Sequence, residues 1–156
     1  MTNMITIYEV GPRDGLQNES TLIPTSDKIA LINALSKTGL RKIEATSFVS
    51  PKWVPQMGDA ADVMAGITRN PSVDYAVLTP NMRGLDGALS ANADEVAIFG
   101  SASESFSQKN LNCSIAESIE RFAPVAKAAH NANVKLRGYV SCITDCPYEG
   151  TIKPAA

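Results

Sequence analysis

The chain has 156 residues, of which 44% are hydrophobic and 19% are charged, and its formal net charge is −2. This composition is typical of one soluble domain with a buried core, and it gives no indication of the basic patch that nucleic-acid binding requires. No apolar run reaches the roughly 18 residues of a membrane span. The first residues lack the features of a signal or transit peptide, so we expect a cytoplasmic protein.

Three cysteines, Cys113, Cys142 and Cys146, cannot all pair within the chain, so we expect reduced thiols. The C-x-x-x-C spacing of the last two is not that of a standard zinc knuckle, which disfavours a metal site there. His130 is the one histidine, and we place it at the surface or at a helix end.

Alternating apolar and β-branched residues predict five β-strands. They cover residues 5–10, 42–46, 73–78, 95–99 and 136–141. Four helices are predicted between them. The first is capped by Ser26 and ended by Gly39, the second covers residues 58–68, and the third runs from Asn81 to about Ala91. The fourth begins with a capping box of Ser114 and Glu117.

The remaining segments are predicted to be irregular. They are a loop over residues 50–56, a polar loop over residues 100–112, and a tail over residues 146–156 that reads as loop and the start of a helix.

This alternation of strand and helix predicts a parallel sheet with right-handed crossovers. Two α/β architectures fit five strands. One is an open doubly wound sheet, complete as it stands, and the other is the first five strands of a (β/α)8 TIM barrel, apparently truncated. No G-x-G-x-x-G follows the first strand, which disfavours dinucleotide binding.

Both architectures place active sites at the carboxyl ends of the strands. Arg13 and Asp14 follow the first predicted strand, and Glu44 lies within the second. The forked donors of an arginine suit a carboxylate or thioester oxygen, and an aspartate suits a divalent cation. The alternatives are a turn salt bridge for Arg13 with Asp14 and a structural ion pair for Arg13 with Glu44.

Four stretches of the sequence resemble the hydroxymethylglutaryl-CoA lyase family. Residues 9–19 read EVGPRDGLQNE, which is similar to the opening signature of these lyases. Residues 46–57 (TSFVSPKWVPQM), residues 77–81 (VLTPN), and residues 137–142 with 146–150 (RGYVSC and CPYEG) resemble the same branch. Together the four stretches span nearly the whole chain.

The resemblance implies that residues 1–156 form the N-terminal part of a single pyruvate carboxyltransferase-like TIM-barrel domain. It implies a lyase that cleaves 3-hydroxy-3-methylglutaryl-CoA to acetyl-CoA and acetoacetate in leucine degradation, with Mg²⁺ or Mn²⁺. By position, Asp14 corresponds to a metal ligand, and Arg13 and Glu44 to catalytic residues. Arg13, Gln17 and Asn110 correspond to residues that contact the acyl-CoA substrate.

The remaining metal ligands of this family are expected in a C-terminal half that lies beyond Ala156. We therefore expect the isolated chain to be incomplete and poorly active, and to associate as a homo-oligomer, most simply a dimer. The competing interpretations are a non-catalytic half-barrel that serves as an interaction piece, a related aldol-type acyl-CoA synthase or lyase, and the open five-stranded ligand-binding domain.

Overall fold

The computed structural model describes residues 5–153 and contains a five-stranded parallel sheet. The strands are β1 (Tyr8–Glu9), β2 (Lys42–Ser47), β3 (Asp74–Leu78), β4 (Glu95–Ser101) and β5 (Lys135–Ser141). They lie side by side in chain order. A sheet without a reversal of strand order has no switch point, so the open doubly wound alternative is wrong. The order is that of the first five strands of a (β/α)8 barrel, as predicted.

The sheet is strongly curled. Strands in a flat sheet are about 4.8 Å apart, so β1 and β5 would then lie about 19 Å from each other. Instead, the ring centroids of Tyr8 on β1 and Tyr139 on β5 are 6.5 Å apart. The Tyr139 hydroxyl also contacts Glu44 on β2, across two intervening strands. The strands therefore enclose a concave face, which we call the lumen.

Five helices accompany the strands. They are α1 (Thr25–Leu35), α2 (Ala60–Gly66), α3 (Met82–Ser90), α4 (Glu104–Leu111) and α5 (Ile115–Asn131). The apolar core joins residues of the helices to outward-facing residues of the strands, including Ile32, Val63, Val77 and Val125. Among residues 5–153, no helix is long and apolar enough to cross a membrane.

The first strand is much shorter than predicted. Apolar residues alternate along residues 5–10 as they do in a strand, but only Tyr8 and Glu9 pair with β2. Ile5 and Ile7 are 91% and 67% exposed, so their apolar character does not mark a buried strand. Val10 already has helical dihedral angles, because a π-helical turn over Gly11–Gly15 starts directly after it.

The polar loop predicted over residues 100–112 is wrong. Strand β4 continues to Ser101, and α4 follows at once. The Ser103 hydroxyl caps α4 by accepting a hydrogen bond from the Phe106 amide. The helix ends at Leu111, and the next residue, Asn112, has a left-handed φ of 53°. This helix is largely polar, so it lacks the apolar periodicity that predicts the other helices.

Two smaller expectations also fail. Ser26 is not a cap, because α1 begins at Thr25 after Pro24 and has no side-chain cap. The tail does not begin a helix within the described residues. It forms a short antiparallel hairpin of β6 (Asp145–Cys146) and β7 (Gly150–Thr151). The capping box of Ser114 and Glu117 is confirmed.

Candidate active site

A cluster of polar side chains lies at the carboxyl ends of the strands. The π-helical turn after β1 carries Arg13 and Asp14, and the Arg13 side chain reaches β2. The Arg13 Nε donates to Oε1 of Glu44, and the Arg13 Nη1 donates to Oδ1 of Asp14 at 2.7 Å. The structure therefore brings together three residues that sequence reasoning selected. We call Arg13, Asp14, Glu44 and Tyr139 the mouth cluster.

Glu44 is the buried centre of the mouth cluster. Its side chain is fully buried, at 0% exposure. One oxygen accepts from Arg13, and the other accepts from the Tyr139 hydroxyl at 2.6 Å. A buried carboxylate needs such partners to offset the loss of hydration. The ion pair of Arg13 with Glu44, which the sequence analysis names as an alternative to a catalytic role, is therefore present in the structure.

Tyr139 is a site residue that sequence reasoning did not select. Burial, together with the hydrogen bond to Glu44, raises the pKa of Tyr139 above its usual range. Its phenol therefore stays protonated and donates at neutral pH. The available signal was position, because residues 137, 139 and 141 alternate along β5 and face the lumen that holds Glu44.

Asp14 has exposed carboxylate oxygens at the mouth, and Arg13 has N–H donors without a hydrogen-bond partner among the described residues. The side chain of Asp14 is 56% exposed, whereas that of Arg13 is 12% exposed. A guanidinium has five N–H donors, and two of them are used by Glu44 and Asp14. The remaining donors can bind an oxygen on which negative charge develops.

The other two predicted substrate contacts are placed differently. Gln17 is the second residue after the π-helical turn and is partly buried, and none of the hydrogen bonds among residues 5–153 joins it to the mouth cluster. Asn110 lies in the last turn of α4 and is exposed. None of the hydrogen bonds among residues 5–153 joins Asn110 to the mouth cluster.

A second polar cluster lies at the amino ends of the strands. The Lys42 ammonium binds Glu95 at 2.5 Å and Asp74 at 2.7 Å, and Lys135 binds Asp74 at 2.6 Å. The Tyr8 hydroxyl donates to Glu95 at 3.0 Å. We call these five residues the floor cluster. Every charge in it has a partner of opposite sign.

The described residues do not contain a complete metal centre. Residues 5–153 show no group of three or more His, Cys, Asp or Glu side chains that could hold an ion. The three cysteines are free, as expected. His130 is exposed in the last turn of α5, which confirms its predicted position.

The model of the HMGL-like family matches residues 4–155 of this chain. The mitochondrial hydroxymethylglutaryl-CoA lyase of Gallus gallus is 60% identical over 151 residues, which are 97% of this chain and 51% of that protein. The cytoplasmic 3-hydroxy-3-methylglutaryl-CoA lyase of Danio rerio is also 60% identical, over 97% of this chain and 45% of its own length.

Solved structures give the same result. The hydroxymethylglutaryl-CoA lyase of Pseudomonas aeruginosa superposes with a TM-score of 0.94 at 55% identity, over 96% of this chain and 50% of that one. An Acinetobacter baumannii lyase in complex with coenzyme A and 3-methylmalate superposes with a TM-score of 0.92 at 39% identity, over 97% and 50%. The chain spans about half the length of the relatives it matches.

Proposed function

This chain belongs to the HMGL-like family, and from that premise we propose that it supplies part of a carbon–carbon lyase active site. The substrate would be 3-hydroxy-3-methylglutaryl-CoA, and the products acetyl-CoA and acetoacetate. In this proposal, residues 1–156 form the N-terminal part of a single TIM-barrel domain.

One observation carries the proposal: Arg13 is fixed at the mouth by Glu44 on one side and Asp14 on the other. Arginine side chains have many rotamers, and two ion pairs restrict this one to a narrow range before any ligand binds. Such a preorganised cation costs no reorganisation during a reaction. It lies at the strand ends where barrel enzymes hold their substrates.

The chemistry of the cleavage explains why a fixed cation is useful. A base removes the proton of the tertiary hydroxyl, and the hydroxyl carbon becomes the carbonyl of acetoacetate. The bond between that carbon and the methylene next to the thioester breaks, and its electron pair forms the enolate of acetyl-CoA. The free donors of Arg13 would face the thioester oxygen, where the negative charge collects. Protonation of the enolate carbon completes the products.

A divalent cation is part of the proposal, with Asp14 as one ligand. Mg²⁺ prefers about six oxygen ligands, and both Glu44 oxygens already accept hydrogen bonds from Arg13 and Tyr139. The carboxylate of Asp14 alone cannot supply so many ligands, so Mg²⁺ or Mn²⁺ would need further ligands from outside the described residues. When bound, such an ion makes the substrate hydroxyl easier to ionise.

Four further points extend the proposal. Gln17 and Asn110 would contact the acyl-CoA. A role in leucine degradation would follow from the substrate. A cytoplasmic location is supported by the description of the Danio rerio relative.

Homodimerisation is supported by the apolar side chains that β5 exposes, since Leu136 and Val140 are 42% and 60% exposed. A dimer would have a solution mass near twice 16.6 kDa.

A chimera tests the lyase proposal. This chain would replace the matching half of the Pseudomonas aeruginosa lyase, to which it is 55% identical, and cleavage would be assayed with Mn²⁺. We expect turnover by the chimera, and a loss of about 10²–10³-fold in kcat for Arg13→Met. Arg41→Met is the matched control, because Arg41 is exposed at the amino end of β2. A folded chimera without turnover, or equal effects of the two substitutions, would contradict the proposal.

A further inference from the structure

The segment that carries Arg13, Asp14 and Gln17 is held at two points. Its inner end, the π-helical turn, is tied to β2 by the contact of Arg13 with Glu44. Its outer end, residues 19–23, belongs to no helix or strand. A segment of this kind has few backbone hydrogen bonds of its own and needs other partners to stay ordered.

The side-chain amide of Gln56 supplies those partners. Its Oε1 accepts from the Ile23 amide at 2.9 Å. Its Nε2 donates to the Thr21 carbonyl at 2.9 Å and to the Glu19 carbonyl at 3.4 Å. A glutamine amide has one oxygen and two N–H donors, so its oxygen and both donors serve one five-residue stretch of backbone.

Gln56 is itself held rigidly. It lies in the 3-10 turn Pro55–Met57 and is only 4% exposed. The ammonium group of Lys28, also 4% exposed, donates to the backbone carbonyl of Gln56 and to the carboxylate of Asp59. Asp59 also accepts from Thr25 at 2.7 Å. The buried charge of Lys28 thus joins α1 to the loop after β2.

We propose that Gln56 is a positioning residue for the mouth cluster. Its amide fixes the outer end of the segment, and this sets where Asp14 and Gln17 present their side chains to a ligand. The ligand class, a divalent cation with an acyl thioester, rests on the proposed function, whereas the effect on the segment does not. Gln56 touches neither Arg13 nor Asp14, so it acts only through the backbone of residues 19–23.

Hydrogen–deuterium exchange of the full chain tests the effect on the segment. Gln56→Met keeps the length of the side chain and removes its three hydrogen bonds. We expect amide exchange in residues 14–23 to rise about tenfold or more, while the strands exchange as before. The matched control is Asn70→Leu. Asn70 also joins two backbone groups, those of Ser36 and Ser72, but away from the mouth cluster.

Binding of Mn²⁺ alone to the chimera described above, which contains the C-terminal half of the Pseudomonas aeruginosa lyase, gives the second readout and is followed by electron paramagnetic resonance. We expect Gln56→Met to weaken the Mn²⁺ affinity by about tenfold and Asn70→Leu to leave it unchanged at a similar loss of stability. Equal weakening in both variants would mean that Gln56 contributes only stability, and would overturn its positioning role. Unchanged exchange in residues 14–23 would overturn it as well. A chimera with Gln56 intact that binds no Mn²⁺ would instead contradict the role proposed for Asp14, so the two failures are distinct.

Discussion

The two ends of the lumen use charge in opposite ways. In the floor cluster, two lysines and two acids alternate, and each charge has a partner within 2.7 Å. In the mouth cluster, Glu44 has both oxygens occupied, but Asp14 is 56% exposed and Arg13 retains free donors. The same strands therefore carry a closed network at their amino ends and an open one at their carboxyl ends.

This difference assigns a stabilising role to the floor cluster and a ligand-binding role to the mouth cluster. In the floor cluster, two positive and two negative charges balance, so the network joins β2, β3, β4 and β5 but has no net charge to attract a cation. An open network with a buried centre and exposed rim can accept one. Barrel enzymes divide their two ends in the same way, so the proposed chemistry belongs to the mouth cluster.

The largest effect is expected at the buried centre of the mouth cluster. Glu44→Ala leaves the guanidinium of Arg13 and the hydroxyl of Tyr139 without their acceptor, and Arg13 is only 12% exposed. Breaking a buried pair in this way costs about 3–5 kcal/mol of unfolding free energy. Urea denaturation measures it. A loss below about 1 kcal/mol would show that this pair is a solvated surface contact.

A smaller effect is expected in the floor cluster. Lys42→Met removes the cation shared by Glu95 and Asp74, although Tyr8 and Lys135 still donate to them. We expect a loss of about 1–3 kcal/mol in unfolding free energy, again by urea denaturation. The turnover of the chimera should not change. A drop in turnover would mean that the floor cluster takes part in the chemistry.

The smallest effect concerns acid stability. Burial alone would raise the pKa of Asp74, but hydrogen bonds from Lys135 and Lys42 outweigh it and hold the pKa below its ordinary 3.8. The folded pKa lies below the unfolded one, so this contribution is present above pH 3.8 and disappears as the pH falls through the folded pKa. Asp74→Asn should therefore lose less stability than the wild type between pH 5 and pH 3. Urea midpoints across this range check it, and identical slopes would contradict it.

Much of the architecture could be predicted from local patterns. The strands over residues 42–46 and 73–78 and the capping box at Ser114 are confirmed because each depends on signals within a few residues. Helix α4 was missed because its surface is largely polar. Periodicity alone could not choose between barrel and open sheet, because strand order depends on contacts between distant parts of the chain. The resemblance to the lyase family implied the barrel, which the strand order confirms.

The site was predictable only in part. Arg13, Asp14 and Glu44 could be selected because polar residues at strand ends are unusual among apolar neighbours. The partnership of Tyr139 with Glu44 spans 95 residues and depends on the curl of the sheet. The hydrogen bonds of the Gln56 amide to the backbone of residues 19–23 could not be predicted either. The sequence does not indicate which backbone groups a side-chain amide will bind.

The most direct test of the separation between the two clusters is one side-by-side measurement on the chimera. Turnover of 3-hydroxy-3-methylglutaryl-CoA and the urea midpoint are recorded for Arg13→Met and Lys42→Met. We expect Arg13→Met to lose about 10²–10³-fold in kcat, and Lys42→Met to keep its kcat while its urea midpoint falls. The opposite pattern, with turnover lost at Lys42 and kept at Arg13, would contradict the account.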